Sequence, residues 1–457
     1  MTPPLHNGWA IMRRCNIVLI VLDALRATNL SCYGYTRPTT PHLDQFAQAS
    51  MVYENAFATS SWSLPTHASL FTGLMPTQHG ADDDHKFLEP AHTTLAEFLS
   101  ARNYLTAAFC YNPYVSHATG LDRGFQWFNP ATRSRLGYAF ARARHYAAKL
   151  QCIGDAGARL VNRQVRAALR EFAAHARPFF LFAHYAECHT PYRYPRAYQP
   201  TRAARVNQNP WRQLANPALM NAADFEILTA LYDGALNYLD AQVAQVITWL
   251  RDLQLLNETM VIVTADHGEN LGEHGIIGHQ YCLYDTLVHV PLIVHYPNGT
   301  TTPARNKQLV STIELAPTIL EMLGENPSAL GDLKGSSLLA AIPREAVFAE
   351  MSKPDLSPYL KQFPNADTRR HDRALRMIRT TRHKLIWGSD DAHELYNLQN
   401  DPNETNNLIR TRPELFAVLA TRLESWHAKL TRAQHDHAAP EFERQVVTRL
   451  RALGYLE

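Results

Sequence analysis

Three stretches of the 457-residue chain carry residue types able to do chemistry together. In Trp62 to Gly73 (WSLPTHASLFTG) a serine stands just ahead of Leu64-Pro65 and a helix-like ASLF run. Helix-start amides and the helix dipole favour anions, so Ser63 is placed to receive an ester oxyanion. By itself the segment reads more simply as an N-cap serine with proline in the first turn. Farther along, Asp266-His267-Gly268 sets a carboxylate beside an imidazole, and Asp23 ends an earlier apolar run. Asp23, Asp266, His267 and the Ser63 oxygen make four oxygen and nitrogen ligands for a divalent cation, a set that calcium, manganese, zinc, iron and magnesium all accept. An isolated Asp-His pair is usually structural, so the weight falls on how the chain brings these residues together.

The elements that would do so are legible as texture. Asn16 to Leu22 (NIVLIVL) is a nearly continuous aliphatic run, the pattern of a central parallel strand buried on both faces. Pro178 to His184, Thr259 to Thr264 and Val290 to His295 repeat it. Helical patterns intervene at Thr93 to Ser100 and, at length, from Asp224 to Leu253. Strands alternating with helices predict an open, doubly wound, mostly parallel α/β sheet flanked by helices. Ligands of such sheets sit beyond the carboxyl ends of the strands. Asp23 closes the first run, His184 to His189 follows the second and Asp266-His267-Gly268 the third.

After about residue 330 the segments become shorter and more charged, and Ala374 to Trp387 alternates like a hairpin. The expected organisation is a catalytic α/β domain over residues 1–330 and a smaller α+β subdomain over 331–457, with antiparallel strands and a final helix from about Pro413 to Leu430.

Composition narrows the function. A hydrophobic content of 46% supports a large core, and Lys+Arg 44 against Asp+Glu 42 offers no footprint for nucleic acid. The expected partner is a small anionic ester, and the sequence leaves self-association open. Six cysteines are scattered without a C-x-x-C pair, which argues against a zinc ribbon or a disulfide framework and fits a reducing compartment. The apolar run after Arg13-Arg14 is shorter than the ~7 to 15 residues of a signal and runs straight into Asp23. No stretch reaches the ~18 apolar residues of a membrane span. The expectation is a cytoplasmic protein with no membrane insertion.

At this point a resemblance carries the reading further. NIVLIVLDALRATNLSCYGYTRPTTPHLD, SLPTHASLFTG, HYAECHTPY, VIVTADHGENLGEHG, GHQYCLYDTLVHVPLIV and KLIWGSDDAHELYNLQNDPNETNNL, in that order, resemble the successive motifs of the sulfatase family of the alkaline-phosphatase superfamily. The resemblance implies an alkaline-phosphatase-like fold and a metal-dependent ester hydrolase. It implies metal ligation by Asp23, Asp266 and His267, with Ser63 at the nucleophile position. His189 and His279 would then contact substrate oxygens or protonate the leaving group, His279 standing where many relatives place a lysine.

The departures matter as much. Ala24 follows Asp23 where sulfatases usually carry a second acid, and His67 replaces the motif arginine, so a fixed guanidinium fork is missing. His67 is expected to stand in for it only in part and in a pH-dependent way. Asn112 lies where many arylsulfatases have a charged Lys and a His, and it can donate a hydrogen bond without adding charge. Family sulfatases mature the motif residue to formylglycine, a conversion that generally reads the arginine. With His67 there, an unmodified Ser63 attacking phosphorus is modestly favoured over sulfate chemistry. Sulfatase action by a matured serine, phosphoryl transfer to an alcohol and a non-catalytic anion-binding role stand as alternatives. The segments Arg133 to Gly157 and Tyr192 to Trp211 are expected to shape the pocket.

Overall fold

The aliphatic runs form strands because β-branched and aromatic side chains suit a pleated surface covered on both sides. In a computed structural model describing residues 14–129, 154–199, 206–279, 281–297, 302–340 and 342–437, the first six strands are β1 (Asn16–Leu22), β2 (Met51–Phe57), β3 (Leu105–Phe109), β4 (Trp127–Phe128), β5 (Phe179–Tyr185) and β6 (Thr259–Thr264). A two-stranded ribbon of β7 (Asn270–Leu271) and β8 (Ile277–Gly278) follows, then β9 (His289–His295) and β10 (Ala304–Ser311). Eight of these make one sheet in the order β10-β2-β9-β6-β1-β5-β3-β4.

β1 lies at its centre, parallel to both β5 and β6. Its alternate residues serve opposite faces. Val18, Ile20 and Leu22 pack in a core with the helices Ala158–Ala173 and Ala222–Asp252, whereas Ile17, Leu19 and Val21 share a core with the helices Ser63–Thr72, Leu95–Ser100 and Leu315–Met322. The sheet is parallel except at β9, which runs antiparallel to β2 and β6. Between β6 and β9 the described residues form the ribbon, a 3-10 turn at Glu273–Gly275 and the four-residue helix Asp285–Val288, with no long crossover helix, and the chain returns in the opposite direction. An aliphatic run buried on both faces carries no sign of its direction, which is why this reversal is absent from the sequence pattern.

The smaller sheet comprises β11 (Val347–Met351), β12 (Leu375–Arg379), β13 (His383–Gly388) and β14 (Glu394–Asn397), paired antiparallel in that order. Val347, Met351, Met377 and Ile386 pack with Phe57, Leu287 and Leu309 of the larger unit. The helix Pro413–His427 covers the opposite face through Leu419 and Leu423. Among the described residues no helix is long and apolar enough to cross a membrane, and Cys15, Cys32, Cys110, Cys188 and Cys282 are free thiols.

Candidate active site

Strand register brings the chemical residues together. Val21 of β1 pairs with His184 of β5 on one side and Thr264 of β6 on the other, so Asp23 and the Asp266-His267 pair leave the sheet at nearly the same level. Ala24 turns the chain with φ +59°, a left-handed conformation that costs a non-glycine residue about 1 kcal/mol. That turn lets its amide donate to Asp266 Oδ1 at 3.2 Å, alongside the His267 amide at 2.9 Å.

Ser63 is the first residue of the helix Ser63–Thr72, whose N-cap is Trp62 without a side-chain cap. The N-cap reading of this serine is therefore corrected. Its hydroxyl is turned into the centre, 3.3 Å from His267 Nε2 and 2.8 Å from Asn112 Nδ2. Asn112 also donates to Asp23 Oδ2 at 2.8 Å. The Tyr114 amide donates to Asn112 Oδ1 at 2.9 Å, which fixes the orientation of the carboxamide. Thus Asn112, expected from sequence to contact substrate through an uncharged hydrogen bond, also ties the serine to the first carboxylate.

Asp23, Asp266 and His267 each present a ligand atom within 4.8 Å of the other two, and all three are fully buried. His267 Nδ1 donates to the Gly268 carbonyl at 2.8 Å, leaving its Nε2 lone pair aimed at Asp23 Oδ1 (3.6 Å) and Asp266 Oδ2 (3.4 Å). Asp23 Oδ1 and Asp266 Oδ2 have no hydrogen-bond partner among the described residues. Burial, then the neighbouring Asp266, pushes the Asp23 carboxyl well above its ordinary range. Burial also works against Asp266 as an anion, but His267 beside it and the His267 and Ala24 amides donating to Oδ1 favour the charged form and hold the carboxyl below its ordinary range. Two buried carboxylates with orphan oxygens beside an oriented imidazole fit a divalent cation.

The remaining predicted residues border this centre. His67 is buried on the Ser63 helix and donates through Nδ1 to the Ser63 carbonyl at 2.7 Å. Burial pushes its pKa down, so it is neutral where the expectation had a pH-dependent cation. His189 and His279 stand on the far side, ring centroids 4.6 Å apart, with His279 4.4 Å from His267. His279 Nδ1 is hydrogen-bonded to Glu269 Oε2 at 3.0 Å, and His189 Nδ1 donates to the Thr190 carbonyl at 2.6 Å. Burial, then His267, lowers the His189 pKa to about 4.

A sulfatase profile matches residues 15–325, and one described as N-sulphoglucosamine sulphohydrolase, C-terminal, matches residues 272–431. The chain belongs to the sulfatase family. Human arylsulfatase A is 28% identical over 503 aligned residues, covering 95% of this chain and 90% of its own. Human iduronate 2-sulfatase is 28% identical over 335 residues, covering 63% of this chain, and the chain spans only 60% of that relative's length. Among solved structures, a phosphonate monoester hydrolase of Agrobacterium radiobacter superposes with a TM-score of 0.71 at 20% identity, over 91% of this chain and 96% of that one. One from Silicibacter pomeroyi gives 0.72 at 20% identity, over 92% and 96%. These likenesses establish the alkaline-phosphatase-like fold.

Within this sulfatase-family centre the structure gives places to two further residues: His184, read from sequence only as one polar residue at a strand end, and Glu269, which the sequence reading did not single out. His184 projects from β5 on the face that carries Phe180 and Phe182, 3.4 Å from Asp23 and with its ring 5.1 Å from His67. Its signal was the period of two: His184 is the polar end of an otherwise aromatic face. Glu269, next to Asp266-His267-Gly268, is buried behind His279. Of the expected pocket-shaping segments, most of Arg133 to Gly157 lies outside the described residues. Tyr192 and Tyr198 pack edge-on against Tyr232 and Tyr238 of the long helix.

Proposed function

We propose that this sulfatase-family chain is a metal-dependent ester hydrolase in which unmodified Ser63 attacks a phosphate- or phosphonate-type ester. The observation that carries the reading is the Ser63 hydroxyl itself: buried at a helix start, held by Asn112 Nδ2 and aimed at the Asp23, Asp266 and His267 cluster. Asp23, Asp266, His267 and the Ser63 oxygen would hold the cation. When bound, it supplies charge neutralisation at the ester oxygens and lowers the pKa of the serine hydroxyl.

The chain's own groups do the rest. Asn112 donates to Ser63 Oγ and restricts its rotamer, so the lone pair meets the phosphorus in line. The amides of the first helical turn face the developing negative charge. With its hydroxyl proton lost to solvent, Ser63 Oγ attacks, forming the Oγ–P bond and breaking the bond to the leaving oxygen, which departs beside His189 and His279 and takes its proton from water. Water then cleaves the phosphoserine at phosphorus and restores the serine. With neutral His67 in place of the motif arginine, formylglycine maturation lacks the residue it generally reads, and this favours the serine route.

A second reading, hydrolysis of sulfate esters by a matured Ser63, is favoured by the sulfatases among the relatives. A panel of sulfate monoesters, phosphate monoesters, phosphodiesters and phosphonate monoesters, assayed with metal supplementation and with mass analysis of the Ser63 peptide, separates the two. Turnover of phosphorus esters with the serine intact is the expected outcome. Sulfate turnover with a formyl side chain would replace the first reading with the second.

A further inference from the structure

Beside the cation site lies a second set of ligand atoms. His67, His184 and Asp266 each offer one within 4.8 Å of the other two, and all three side chains are buried. Asp266 is common to this set and to the one with Asp23 and His267. The two sets adjoin: His267 packs on His279 whereas His67 packs on His184 and Phe182, and His184 Nε2 also lies 3.4 Å from Asp23 Oδ2. His67 commits Nδ1 to the Ser63 carbonyl and leaves Nε2 without a partner among the described residues. Neither nitrogen of His184 has a hydrogen-bond partner there, nor does Asp266 Oδ2. A buried polar atom without a partner costs about 1–3 kcal/mol, and each of these three residues carries at least one such atom.

We propose that His67, His184 and Asp266 bind a second divalent transition-metal ion, with Asp266 bridging it to the ion at Asp23 and His267. Imidazole-rich sets prefer zinc, iron, nickel or copper over calcium, magnesium or manganese. Two cations sharing a carboxylate sit about 3.5–4 Å apart, a spacing that clamps both sides of an in-line displacement. The second ion deepens the hydrolase reading and rests on it for its catalytic role. It restores at His67 the positive charge that the family's arginine would have carried, and it leaves Ser63 flanked by two dications and two carboxylates. That net positive charge suits a dianionic phosphate monoester.

The test is the metal content of the full-length protein, measured by elemental analysis after equilibration with zinc and desalting, together with cobalt(II) titration followed by visible absorption. About two ions per chain are expected in the wild type, falling to about one in His67→Ala and in His184→Ala. Circular dichroism melting establishes that each variant is folded, and His67→Arg serves if the alanine variant is not. One ion in the wild type, or two in both histidine variants, overturns the proposal. The count does not depend on which ester is cleaved, so failure of the hydrolase reading would leave it untouched.

Discussion

At the residue scale, Ser63 and Asn112 make opposite demands on an experiment. Ser63→Ala removes the attacking atom and is predicted to lower kcat/KM on any accepted ester by at least about 10³-fold, measured under saturating metal. Asn112→Ala keeps the nucleophile but releases it from its 2.8 Å bond, so kcat should fall by about 10- to 100-fold with little change in KM. Unchanged turnover in either would remove that residue from the reaction. Asp23, Ser63, Asp266 and His267 were legible in sequence because each follows or borders a recognisable element end. The role of Asn112 was not, because its side chain is oriented by the Tyr114 amide in a loop without periodicity. The neutral state of His67 was equally hidden, since burial rather than residue type sets it.

At the element scale, the site is precise because strand ends are held by close backbone packing. A Cβ on Gly268 would run into the Thr286 carbonyl oxygen, while the Gly268 amide donates to Leu287 O at 2.7 Å. Gly268→Ala must therefore displace the turn that carries Asp266 and His267. It is expected to destabilise the fold by about 1–3 kcal/mol and to weaken metal binding, read by thermal melting and by metal retention on dialysis. Wild-type melting and retention would show that the turn adapts freely. Periodicity and apolar runs made β1, β5, β6, the long helix and the β12–β13 hairpin readable. The direction of β9 and the convergence of His184 on His67 depend on pairing partners distant in sequence, which local pattern does not encode.

For the whole molecule, a buried ionic cluster fastens the small sheet to the large one. Lys384 of β13 is fully buried, with Nζ 2.7 Å from Asp285 Oδ1 and 2.7 Å from Glu404 Oε1, and Arg379 Nε reaches Asp285 Oδ2 at 3.2 Å. Burial opposes ionisation of Asp285, but Lys384 and then Arg379 outweigh it and hold the carboxyl well below its ordinary range. A depressed carboxyl contributes stability that is fully present above its unfolded value near ~4 and is lost as pH falls toward the folded value. The melting temperature should therefore drop in acid below about pH 4. Asp285→Asn should remove that part of the acid dependence and cost about 3–5 kcal/mol at neutral pH, because it leaves Lys384 short of a partner. An unchanged acid profile in Asp285→Asn would show that other carboxyls control it.

The central claim is that an unmodified serine forms the covalent bond. The most direct measurement is peptide mass spectrometry of the metal-loaded protein, acid-quenched while turning over a phosphorus ester. The prediction is a Ser63 peptide found partly as free serine and partly carrying a phosphoryl or phosphonyl group, with the adduct absent from Ser63→Ala. A Ser63 peptide carrying the formyl side chain, or sustained turnover with no adduct on Ser63 under any quench, would contradict it.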